Sequence, residues 1–317
     1  RRLTKLKDLR TIFKDFQDFH KTLTRPSQIK NKIIDFHVHT FPASLAASAL
    51  EKLSAKSHTK YFTDGTIKNL GLSMHKSGIM ISVVQPVATK PEQVKKINDE
   101  AIRINKYSRL SGIFSFGAVH PDLENEILNS ELEKLFNSGV KGVKIHPVYQ
   151  GVNIDDERYI KILRKTCELG LYVLIHAGFD IGFPENKNAI PEKILNALKL
   201  VPEAKIILAH MGGWRCWEEA ANLFSGYKNI FIDTAFSLGS FTPNGDNYYK
   251  NPEDCEMLNP EKFTKIIKIF GAERVLFGTD SPWSSQIENV NAIKNLNLSE
   301  SEKNLIFYDN AAKILRL

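Results

Sequence analysis

From residue 33 onward the chain alternates eight times between a short apolar, β-prone run and a longer stretch with helical spacing. The runs fall at 33–40, 79–84, 113–119, 142–146, 171–176, 205–210, 230–233 and 275–278. Helices are predicted over 43–53, 66–76, 91–107, 123–137, 156–169, 191–200, 214–224, 260–270, 287–296 and 299–308, with 54–65 as loop. Short, near-continuous apolar strands are what a parallel sheet covered on both faces requires. Eight β/α units over roughly 250 residues or more predict an α/β fold, a (β/α)8 TIM barrel. A doubly wound open sheet would call for a glycine-rich phosphate turn after an early strand, and no GxGxxG occurs. At 317 residues, 42% apolar and 25% charged, the chain suits one large domain.

In a barrel of this kind, chemistry sits at the C-terminal ends of the strands. Six of the nine histidines fall at those ends: His37 and His39, His120, His146, His176 and His210. Asp280 follows the eighth run. His37 and His39 are two apart on one strand, so both point to one face. A lone histidine at a strand end is ordinarily packing; six on one rim with an aspartate point to a metal. Cys167, Cys216 and Cys255 are widely spaced and form no CxxC. That argues against a disulfide framework and a thiolate zinc site, and suits a reducing cytoplasm. His37, His39, His176 and Asp280 would hold one divalent transition metal, zinc first and manganese or iron(II) as alternatives, with a position left open. A metal so held lowers the pKa of water to about 7. Asp280 could both touch the metal and take a proton, and His210 could polarise a carbonyl or shuttle a proton.

The sequence resembles the amidohydrolase superfamily, in its amidohydrolase-related branch that includes aminocarboxymuconate-semialdehyde decarboxylase. The resemblance rests on Asp35-Phe36-His37-Val38-His39, Lys141-Gly142-Val143-Lys144-Ile145-His146-Pro147, His176-Ala177-Gly178, His210-Met211-Gly212-Gly213 and Gly278-Thr279-Asp280-Ser281-Pro282-Trp283. It implies metal ligands at His37, His39, His176 and Asp280, an acid/base role for His210, and a substrate-covering insertion after strand 1 over 40–65. Binuclear members bridge two metals with a carboxylated lysine; the branch resembled here uses one metal, which leaves Lys144 to a charge contact or an anionic substrate group. His120 and His146 are expected to line the metal or the substrate. Trp214 and Trp283, with Tyr149, Phe179 and Phe236, are expected as an apolar wall or as loop packing. Arg215 is a candidate for a substrate carboxylate.

Residues 1–32 are read as a separate N-terminal helical extension, and 33–317 as the barrel domain. The extension carries ten of the lysines and arginines behind the net charge of +7, and its apolar residues Leu3, Leu6, Leu9, Ile12, Phe13, Phe16, Phe19 and Leu23 recur at helical spacing. Packing on the barrel or on a second subunit, as in a homodimer, is the plainer reading; a membrane surface or acidic partner is the other. No apolar run approaches the roughly 18 residues of a membrane span, and nothing points to nucleic acid. The expected activity is hydrolysis of a small-molecule amide, lactone or ester through metal-activated water. The alternatives are nonoxidative decarboxylation of a small unsaturated or aromatic acid, and a non-catalytic ligand-binding barrel.

Overall fold

The structure, a computed structural model, describes residues 32–317. The extension expected at the N-terminus lies, Lys32 aside, outside the described residues. From Ile33 to Leu317 the chain forms one compact unit.

Its strands are β1 (Ile34–Val38), β2 (Ile81–Val84), β3 (Ile113–Ser115, resuming as Gly117–Ala118), β4 (Gly142–Ile145), β5 (Tyr172–Ile175), β6 (Lys205–Leu208), β7 (Ile230–Asp233) and β8 (Val275–Leu276). Neighbours pair in chain order, all parallel. The ladder breaks at Phe116, whose N–H still reaches the Val84 carbonyl at 2.9 Å. The ring closes where Phe36 N donates to Phe277 O (2.7 Å) and His39 N to Ser281 O (2.6 Å). This is the predicted (β/α)8 barrel.

Ile34, Phe36, Val83, Phe116, Leu174, Ile207 and Leu276 form one buried apolar group, with Ala311, Ile314 and Leu315 of the last helix packed against them. Residues alternating with these, such as Val143, Val173 and Ile206, join Leu132, Leu163, Ile194 and Phe263 of the covering helices. Period-two alternation fails once where it matters. Between Asp35 and Val38 the register of β1 shifts. Asp35 accepts from Gln286 Nε2 at 2.7 Å, at the start of the helix Gln286–Lys294, while His37 reaches the rim. A one-residue irregularity redirects side chains in this way.

Helix starts follow local capping chemistry. Thr66, Asp156, Asn259 and Ser299 each accept a backbone N–H of the turn they precede. The helix expected from residue 214 begins instead at Trp217. Trp214 is held in a bridge with the β5 loop, Trp214 N to Ala177 O at 2.9 Å and Phe179 N to Trp214 O at 3.0 Å, and Arg215 has φ +62°. The first helix runs on to Ser57, into what reads as loop. No helix among the described residues is long and apolar enough to cross a membrane.

Candidate active site

The rim at the strand ends gathers most of the expected residues. His37 Nε2 lies 3.2 Å from His39 Nε2 and 3.5 Å from Asp280 Oδ1, and His39 Nε2 lies 3.0 Å from Asp280 Oδ1. Ligands of a cation bound at about 2.1 Å stand about 3.0–3.4 Å apart, so this trio has the spacing of a cation's ligand set. Asp280 is brought there by a backbone in the left-handed region (φ +63°), pinned by its N–H on His37 O at 2.8 Å. Asp35, fully buried, accepts from Thr279 N and Oγ1 and so ties the start of that turn to β1.

Hydrogen bonding fixes the tautomers of three histidines. His37 Nδ1 is 2.7 Å from Asp233 Oδ2, His176 Nε2 is 3.1 Å from the Phe179 carbonyl, and His210 Nδ1 is 3.1 Å from the Ala235 carbonyl. Each partner can only accept, so each of those nitrogens carries the proton. The lone pairs therefore fall on His37 Nε2, His176 Nδ1 and His210 Nε2. The last two face one another at 3.1 Å. Two lone pairs at that distance repel unless a proton or cation lies between or beside them. With the carboxylate of Asp280, this donor set fits a divalent ion of the zinc or manganese type.

His176 does not close up with the His37 trio. Its ligand atoms group instead with His146 and Asp180, the second of two such clusters among the described residues. His146 Nε2 and His176 Nε2 each stand 3.6 Å from Asp180 Oδ2, and the two rings stack at 4.0 Å. Tyr149 N donates to His146 Nδ1 at 3.3 Å, which puts the proton on Nε2. Both nitrogens facing Asp180 thus bear hydrogens, and this second cluster shares protons rather than offering lone pairs to a cation.

Burial governs the electrostatics. It pushes His37, with Lys144 adding to it, and His176, with His146 adding, well below the usual histidine range. It lowers His210 against the opposing charges of Asp280 and Asp233. It pulls Lys144 down to about 8 and lifts Asp180 to about 7 and Asp233 to about 6. On Asp280 burial works upward, but the His39 hydrogen bond and the surrounding histidines outweigh it and hold the carboxyl low. Lys144 is fully buried with its Nζ 3.4 Å from His37 Nε2.

Other expected residues sit further out. His120 is buried beside its own loop, accepting from Asp122 N at 3.2 Å. Trp214 and Trp283 join Phe179, Phe236 and Phe241 in an apolar cluster built from the loops after the strands. Trp214 Nε1 is buried without a hydrogen-bond partner. Arg215 is exposed, its guanidinium 4.8 Å from the Trp214 ring centre. Two carboxylates were missed: Asp233, which closes β7, and Asp180, in the loop after β5. Asp233 occupies a strand end like the histidines, which is a usable signal; Asp180 carries none beyond standing four residues after His176.

The profile of the amidohydrolase family matches residues 34–317. No curated protein matches the sequence. Among solved structures, an uncharacterised TIM-barrel protein from Bordetella bronchiseptica is 17% identical, with 90% of this chain and 98% of that chain covered and a TM-score of 0.68. A 5-carboxyvanillate decarboxylase from Sphingomonas paucimobilis is 15% identical (90% and 99% covered, TM-score 0.62). A 2,6-dihydroxybenzoate decarboxylase from Rhizobium is 15% identical (90% and 99% covered, TM-score 0.63). At such identities the structural likeness speaks to the fold.

Proposed function

The chain belongs to the amidohydrolase family and is an enzyme of that superfamily, and from that premise we propose a hydrolase of small-molecule amides, lactones or esters that uses one divalent cation. His37, His39, His176 and Asp280 would hold the ion, zinc by their donor types. When bound, such an ion polarises a substrate oxygen and makes water acidic enough to ionise near neutral pH. The observation that carries the reading is the trio: His37 Nε2, His39 Nε2 and Asp280 Oδ1 stand 3.0–3.5 Å from one another, and the bond from His37 Nδ1 to Asp233 leaves the lone pair on His37 Nε2.

The chain's own groups then divide the work. As water adds to the acyl carbon, His210, neutral and held by Ala235 O, takes one of its two protons at Nε2 and passes it to the leaving group as the bond to that group breaks, the other proton going to Asp280. Asp280, ionised, accepts a proton from water at its carboxylate. Asp280 and His39 are the members of the trio with some exposure, so the approach to the centre runs past them. The stretch 40–65 would cover the substrate, a reading supported by the bond from Phe62 N to the carbonyl of Pro282, two residues after Asp280.

A second reading, nonoxidative decarboxylation of an unsaturated or aromatic acid, is favoured by Lys144. This buried ammonium contacts His37 rather than a carboxylate, and suits a substrate anion. Decarboxylation also needs a proton delivered to carbon, whereas Nε2 of His210 carries none in its neutral tautomer. The test is a metal-supplemented screen of lactones, amides, esters and aromatic or unsaturated acids, following hydrolysis and carbon dioxide release separately. Hydrolysis is expected. Carbon dioxide release without hydrolysis would replace the first reading by the second. Tight binding of a compound with no turnover would point to a ligand-binding barrel.

A further inference from the structure

We infer that Asp233 is the positioning residue of the centre: one buried carboxylate sets the tautomer of His37 and, through its other oxygen, the turn that aims His210. The inference rests on the metal-centre reading above.

Asp233 ends β7 and is fully buried. Its Oδ2 accepts from His37 Nδ1 at 2.7 Å. Its Oδ1 accepts from His210 N at 2.9 Å and from Ala235 N at 3.1 Å. Its own carbonyl accepts from Met211 N at 2.7 Å. His210 and Met211 both lie in the left-handed region, with φ +61° and +56°, a conformation that non-glycine residues hold only where the surroundings determine it. Asp233 supplies that determination. Through Oδ1 it grips the His210 backbone and also Ala235, whose carbonyl holds the His210 ring. The residue expected to carry protons and a residue expected to hold the ion are thus aligned by the same side chain.

The demand is for a carboxylate in particular. Three N–H donors converge on two oxygens, and no group of Asp233 needs to donate. Asparagine has one acceptor oxygen and an amide NH2 that only donates. If its oxygen serves His210 and Ala235, its NH2 faces His37 Nδ1. His37 must then accept at Nδ1 and carry its proton on Nε2, where the cation should bind. If the amide flips, the donors of the His210 turn face an NH2 instead.

The test is Asp233→Asn in the full-length chain, read by chelator competition for zinc and by nitrogen–proton correlation spectra of the histidine rings in the metal-free protein. Wild type should bind one equivalent and show His37 protonated at Nδ1. The variant should bind about 10–100-fold more weakly and show His37 protonated at Nε2. A residue that merely stabilises the fold would lower the melting temperature and leave the His37 tautomer unmoved. Equal zinc affinity, or an unchanged tautomer, overturns the inference while the metal centre stands. Failure of wild type to bind zinc or any divalent transition metal overturns the metal centre and this inference with it. Should the variant not fold, the wild-type spectrum decides: Nδ1–H on His37 supports the assignment and Nε2–H refutes it.

Discussion

His210 carries the sharpest expectation about a single side chain. Its ring is anchored by Ala235 O and its backbone by Asp233, yet it belongs to neither the His37 trio nor the Asp180 cluster. His210→Ala should therefore retain about one equivalent of metal and lose turnover by about 10²–10⁴-fold, the usual worth of a positioned proton-transfer group. His37→Ala should lose the metal. The pH dependence follows from the same burial. A base works unprotonated, and burial lowers the pKa of His210 below its ordinary value near 6.5. Activity should thus hold through neutral pH and fall only below about 6.5; an acidic limb centred above that would contradict the role. At this scale the sequence was partly legible. Histidines at strand ends announce themselves by position. What position cannot tell is which way a ring turns: His120 stands at a strand end too, but turns to Asp122. Nor does it say that Asp233 meets His37, 196 residues distant in the chain.

Among the elements, the loop contact between β5 and β6 is open to disruption by a single change. Gly178 has φ +83°, and a Cβ there would stand 2.4 Å from both Trp214 N and Trp214 O. Gly139 has a similar φ of +80° but open space around the same position. Gly139→Ala should cost only backbone strain, about 1–2 kcal/mol. Gly178→Ala should cost distinctly more, by about 1–3 kcal/mol of overpacking, seen as a lower midpoint in urea unfolding; equal losses in the two would mean the contact is not tight. The strands and most helices were legible because their signals are local: apolar runs, capping side chains, prolines at 191 and 260. The failures came from contacts between distant segments. The bridge to Gly178 delays the helix at Trp217. The register shift in β1, which comes after Asp35, takes His37 to the rim while Asp35 faces Gln286, against a strict alternation.

For the whole molecule, barrel closure brings function and topology together. The junction of β1 with the segment after β8 is made by the same residues that form the centre: His37 O accepts from Asp280 N, and His39 N donates to Ser281 O. Trio and closure therefore form together, and a bound cation would lock the first strand to the last. The direct test is an anomalous difference map, collected at the metal's absorption edge, from crystals of the reconstituted protein. A single peak about 2.0–2.3 Å from His37 Nε2, His39 Nε2 and a carboxylate oxygen of Asp280, with His176 turned toward it through Nδ1, is the predicted result. A peak seated between His146 and Asp180 instead, or no peak at the trio with metal in excess, would contradict it.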